Sequence, residues 1–210
     1  MSSEPVASTS LVEEQRDVAR ARIVRAARRA LAERGLATTV DDVAEAAGVS
    51  RRTVFRHFST RENLFAVAIR DGLRTYGEHI PFAPADDLDT WLTNVLVAAH
   101  RLNAGNGRIY WELSVLEPEL TGELAAAAAE RRQARNRFAE GVTRVMWRAR
   151  GGTGRPPAWL IDAVAVHLSG FTTQSLAVDF DRSPDDVARV SVRVLDAALT
   201  AALAERDSAS

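Results

Sequence analysis

Residues 38–65, TTVDDVAEAAGVSRRTVFRHFSTRENLF, carry two short helical patterns joined by a tight turn. Thr39 is placed to cap the first, whose apolar residues Val40, Val43, Ala44 and Ala47 recur at i, i+3, i+4 and i+7. Asp41 and Asp42 fall in its first turn, where the helix dipole favours anions, and Gly48 ends it. Ser50 is a good N-cap for a second helix that turns Val54 and Phe58 inward and leaves Arg51, Arg52, Thr53, Arg56 and His57 outside. Two such helices with so short a joint form a helix-turn-helix.

The outward face of the second helix suits double-stranded DNA. Between Ser50 and Arg61 there are four arginines and no Asp or Glu, within a chain of net charge −1. A recognition helix presents its N-terminal side chains to base edges in the major groove, and one bidentate Arg–guanine pair discriminates by about 1–3 kcal/mol. Arg51 and Arg52 stand at that end. A solvated basic face is the alternative for an arbitrary arginine-rich helix; the preceding capped helix and turn favour the DNA reading here.

The wider pattern resembles the TetR-like family of bacterial transcriptional regulators. A first helix with Ile23, Ala26, Ala27, Ala30, Leu31 and Gly35 is followed by Thr39, Asp42, Val43, Ala44, Ala47, Gly48, Val49, Ser50, Thr53, Val54, Phe55, His57, Phe58, Arg61, Glu62 and Leu64. The likeness runs from about Arg20 to Phe65. It implies an all-α protein, with an N-terminal three-helix DNA-binding domain and a C-terminal helical domain for effector binding and dimerisation. It also implies DNA contacts from Thr39, Arg51, Arg52, Thr53, Phe55, His57 and Arg61, to which the helix face adds Ser50 and Arg56. Three positions depart from the family's common pattern. Arg52 replaces a small residue and adds a base or phosphate contact, Phe55 lacks the usual tyrosine hydroxyl, and Arg61 replaces lysine as a phosphate anchor.

Composition bounds the rest. A chain of 210 residues with 46% hydrophobic and 26% charged residues is ordinary for a globular protein. Cysteine is absent, which removes disulfides and thiolate chemistry. All 27 basic residues are arginine, with 13 against 10 acids over residues 1–75 and 14 against 18 beyond, so the basic end is the DNA end. No segment reaches the ~18–20 apolar residues of a membrane helix, and the N-terminus lacks a signal-peptide pattern, so no membrane association and a cytoplasmic location are expected. The expected divisions are a disordered tail over 1–12, a helix-turn-helix domain over 13–61 and a helical domain over 62–210.

The remainder reads as helix throughout. One helix is expected from Glu62 to about His79, stopped by Pro81 and Pro84, and another from about Asp87 to Asn103. A loop at 104–107, a short helix through Tyr110, Trp111 and Leu113, and a break at Glu117-Pro118 follow. Next come a long helix to about Arg150, the loop GGTGRPP at 151–157, a helix from Ala158 to Asp179, and a last helix announced by Ser183, Pro184, Asp185 and Asp186. That last helix bears two apolar stripes, Val187, Val190, Val194, Ala197 and Ala201, and Leu195, Leu199 and Leu203. One can serve the monomer's core while the other meets a second copy in a two-fold four-helix bundle, making Val187, Val190, Val194, Leu195 and Leu199 dimer candidates. Cover of both within one chain is the alternative. A homodimer predicts a palindromic operator.

A cavity for a small-molecule effector is a further implication of the resemblance. Its candidate lining is Trp91, His100, Tyr110, Trp111, Trp147, His167, Phe171 and Gln174, each of which could equally serve the core. His167, Phe171 and Gln174 are expected on one helix face. An effector would lower operator affinity by favouring one dimer geometry, with the helix from Glu62 as lever. A DNA-binding regulator without an effector, a nucleoid-type binder and a helical-bundle enzyme are the competing classes. The scattered histidines and the lack of a Gly-rich phosphate loop give no catalytic residue, no metal and no cofactor to expect.

Overall fold

The computed structural model describes residues 11–79 and 87–208. Among these, nine α-helices and no strands are present: α1 Leu11–Arg34, α2 Val40–Ala47, α3 Arg51–His57, α4 Arg61–His79, α5 Leu88–Val115, α6 Gly122–Ala149, α7 Ala158–His167, α8 Gly170–Phe180 and α9 Pro184–Ser208. Short 3-10 turns stand at Gly35–Ala37 and Glu117–Glu119. The all-α fold with an N-terminal helix-turn-helix is therefore the one the sequence implies. Residues 1–10 of the expected tail and the Pro81/Pro84 stop lie outside the described residues; Leu11 and Val12 are already helical in backbone.

Local chemistry sets the helix ends. Thr39 and Asp42 form a reciprocal capping box at the start of α2, in which the Asp42 amide donates to Thr39 Oγ1 (3.1 Å) and the Thr39 amide to Asp42 Oδ2 (2.8 Å). Gly48 ends α2 in the left-handed region at φ 61°. Ser183 caps α9 in the same way, accepting from the Asp186 amide, with Pro184 as its first residue.

Two apolar clusters hold the molecule together. The first joins Ile23, Ala27 and Leu31 of α1 to Val43, Val54, Phe58, Leu64 and Phe65, and continues into Ile109 and Leu113 of α5 and Ala127 of α6. The second is built from Leu92, Val95 and Leu96 of α5, Val142 and Met146 of α6, Leu160 and Val164 of α7, and Leu195 and Leu199 of α9. The long helix α5 thus belongs to both cores, and α4 packs on α1 and α6.

Three sequence expectations are corrected. Helix α5 runs unbroken through Ala104–Gly107 where a loop was expected. Each helical glycine costs about 1 kcal/mol against alanine, but the buried flanks at Ala99, Asn103, Ile109 and Tyr110 keep the helix continuous. The single helix expected over 158–179 is two, because Ser169 accepts from the Thr172 amide and starts α8 afresh. This separates His167 from Phe171 and Gln174. Val187, Leu195 and Leu199 are buried within the chain and have no surface for a partner. Val190 and Val194, each 42% exposed, lie on the outer side of α9 with Ala197 and Ala201.

Candidate functional site

Helix α3 is seven residues long and is held from below by Val54 and, just past its end, by the buried Phe58. Ser50 starts it, accepting from the Thr53 amide (3.1 Å), and its hydroxyl also meets Thr53 Oγ1 at 2.9 Å. Both hydroxyls therefore position the helix as well as edging its outer face. Thr39 is likewise engaged in the α2 cap while remaining exposed. Arg51 reaches back to Asp41 (2.6 Å) and lies over the Phe55 ring, 5.3 Å from its centroid. Phe55 is 40% exposed, so ring and guanidinium form one outward platform. Arg52 and Arg56 are exposed and have no acidic partner in ion-pair range among the described residues.

His57 closes the face. Both its ring nitrogens are shielded from solvent and lack a hydrogen-bond partner. Burial, then the positive charges of Arg56, Arg16 and Arg20, hold its pKa below the usual histidine value. Arg16 and Arg20 come from α1, and Arg20 also stacks over Phe58. The sequence reading passed over these two. Their i, i+4 spacing on α1 was visible, but nothing local said that this face of α1 lies beside the end of α3.

Arg61 has a different place from the one expected. Its guanidinium points inward, donating from Nε to the Thr38 carbonyl (3.1 Å) and from Nη2 to the Leu36 carbonyl, and it stacks over Phe65 at 4.5 Å. It clasps the turn before α2 through these two backbone oxygens, while its Nη1 lies 3.4 Å from Glu62 Oε1.

The eight C-terminal candidates divide three ways. Trp91 and Trp147 are core residues, the Trp147 indole donating to the Thr153 carbonyl (3.0 Å). Tyr110 is also buried, beneath the Arg131 guanidinium, with its hydroxyl unpartnered. His100 and His167 belong to a buried polar chain. Asn103 donates to Thr173 Oγ1 (3.3 Å), Thr173 Oγ1 lies 2.8 Å from His100 Nδ1, and Ser191 Oγ bridges His100 Nε2 (3.3 Å) to His167 Nδ1 (3.1 Å). Burial, and secondarily the neighbouring His167, pushes His100 down to about 4; burial lowers His167 as well.

Trp111, Phe171 and Gln174 meet at a groove of about 650 Å³ between α5 and α8. The Trp111 and Phe171 rings stack with centroids 5.1 Å apart and 20° between planes. Arg108, Glu112, Ser175, Val178 and Asp179 complete the lining, none of which the sequence singled out. They are ordinary exposed helix residues until α8 is laid against α5. Among the described residues no group of three or more His, Asp or Glu side chains could hold a metal, and no helix is long and apolar enough to cross a membrane.

Residues 23–68 match the family model of bacterial regulatory proteins, tetR family. The chain is 39% identical over 79 residues to a probable HTH-type transcriptional regulator, ArpR, of Pseudomonas putida; the match covers 36% of this chain and 37% of that relative's length. A tetR-family transcriptional regulator from Streptomyces coelicolor has the same fold, with a TM-score of 0.70 and 18% identity over 92% of this chain and 84% of the other. So has the TetR-like regulator LfrR from Mycobacterium smegmatis, solved with proflavine, at a TM-score of 0.59 and 24% identity over 87% and 96% of the two chains.

Proposed function

We propose that the chain, whose residues 23–68 match the tetR family of bacterial regulatory proteins, is a sequence-specific DNA-binding transcriptional regulator, a repressor released from its operator by a small molecule. The observation that carries this reading is the outer face of α3. Arg52 and Arg56 project from it without acidic partners, beside the Arg51–Phe55 platform and the flank formed by Arg16 and Arg20. Arginines left unpaired on a helix this firmly seated are available to base edges and phosphates.

The rest of the molecule completes a regulator rather than an enzyme. The apolar strip of Val190, Val194, Ala197 and Ala201 on α9 is covered by a second copy across a two-fold axis. Two recognition helices then meet successive major grooves about 34–36 Å apart, and the operator is palindromic. The groove between α5 and α8 receives the effector, in keeping with the proflavine found in a protein of like fold. The chain works in the cytoplasm, where the DNA is.

Selection of bound sequences from a random duplex library at near-physiological salt tests the reading. A palindromic consensus is expected. Binding that depends on duplex length but enriches no sequence would overturn it in favour of a non-specific binder.

A further inference from the structure

The groove and the helix-turn-helix share one carboxylate. Glu112, on α5, has a side chain only 12% exposed, and its two oxygens face opposite ways. Oε1 accepts from Arg108 Nε inside the groove, while Oε2 accepts from the backbone amide of Leu36, 76 residues earlier in the chain. Leu36 is the middle residue of the 3-10 turn between α1 and α2. Its amide is held by Glu112 and its carbonyl by Arg61, so the turn that aims α2 is clasped from the C-terminal domain on one side and from α4 on the other. Gly35 is in the left-handed region at φ 61°, and a Cβ there would collide with the Glu112 carboxylate.

The groove's chemistry selects a class of occupant. Its charged lining is Arg108 against Glu112 and Asp179, a net negative wall. Asp179 accepts only from Ser175 Oγ (3.1 Å) and has no basic partner in ion-pair range among the described residues. The stacked Trp111 and Phe171 add aromatic faces, Phe171 being 50% exposed. The aromatic faces and the unneutralised Asp179 carboxylate, beside a Glu112 already paired with Arg108, together favour an aromatic organic cation.

We propose that the groove between α5 and α8 takes an aromatic organic cation, and that its charge, by drawing the Glu112 carboxylate into the groove, frees the Leu36 amide and loosens the turn that aims the helix-turn-helix. This rests on the effector reading above and assigns that effector's chemistry and its route. A neutral or anionic ligand of the same shape makes no such demand on Glu112 and leaves the clasp closed.

The test uses the full chain with tetraphenylphosphonium and tetraphenylborate, two ions of the same shape and opposite charge. Calorimetry is expected to show the cation binding at least tenfold tighter than the anion, and Glu112→Gln to weaken the cation at least tenfold. Should Glu112→Gln fail to fold, Asp179→Asn gives the same comparison, with a smaller loss. Amide hydrogen exchange at Leu36 is expected to quicken severalfold when the cation saturates the protein and to stay unchanged with the anion. Equal affinity for the two ions, preference for the anion, or no binding of either overturns the ligand class. Binding of the cation with Leu36 exchange unmoved overturns the coupling. Neither readout needs DNA, so failure of the operator selection would sink the regulator reading alone.

Discussion

Arg52 and Arg61 are nine positions apart, both cationic, yet the structure gives them opposite work. Arg52 is free on the outer face of α3, so Arg52→Ala should cost about 1–3 kcal/mol on the preferred operator and much less on arbitrary duplex, as competition binding at fixed salt would show. Arg61 is bonded to the Leu36 and Thr38 carbonyls, so Arg61→Ala leaves both with unfilled acceptors. It should lower stability by about 1–3 kcal/mol in chemical unfolding, with binding loss following from that. His57 adds a pH dependence. Its pKa in the folded chain is depressed by burial and by Arg56, Arg16 and Arg20, so the unfolded chain takes up the proton first as pH drops. Stability should therefore fall as pH drops through the ordinary histidine range, and His57→Gln should reduce that slope in urea unfolding.

At the scale of elements, the turn between α1 and α2 is the place where several demands meet. Gly35 must adopt a positive φ and leave room for Glu112; Leu36 must present both its amide and its carbonyl. Gly35→Ala is expected to cost about 1–3 kcal/mol, visible as a lowered thermal midpoint, and to speed amide exchange at Leu36 without any ligand. The buried polar chain through α5, α8 and α9 gives a second element-level expectation. His100 falls to about 4 in the folded state against about 6.5 when unfolded, so the unfolded chain gains a proton first as pH drops. Stability should be flat above about pH 6.5 and fall by about 3 kcal/mol between there and pH 4, which urea midpoints would measure.

For the whole molecule, the exposed strip on α9 is where the proposed second copy would pack. Val194→Arg should convert a dimer into a monomer in sedimentation velocity while leaving the core intact, since Leu195 and Leu199, not Val194, fill it. A two-fold site doubles the contacts, so the monomer should bind a palindromic duplex at least tenfold more weakly than the dimer.

The helix-turn-helix was legible in the linear chain because every signal it uses is local. Thr39 with Asp42, Gly48, Ser50 and the spacing of Val40, Val43, Ala44 and Ala47 act within four residues of one another, where backbone geometry settles the outcome. The break at Ser169 was there to be read as an N-cap, but an apolar run on both sides hid it. The continuity of α5 through Gly105 was not legible, since only packing against other helices decides it. Nor could periodicity tell which stripe of α9 faces inward, because Val187, Val190, Leu195 and Leu199 are alike until neighbours are laid on one side. The inward turn of Arg61, the placing of Arg16 and Arg20 beside His57, and the sharing of Glu112 between groove and turn belong wholly to the tertiary structure. Each joins residues from different helices, up to 76 positions apart, and side-chain charge and hydrogen bonding act through space, without regard to order along the chain.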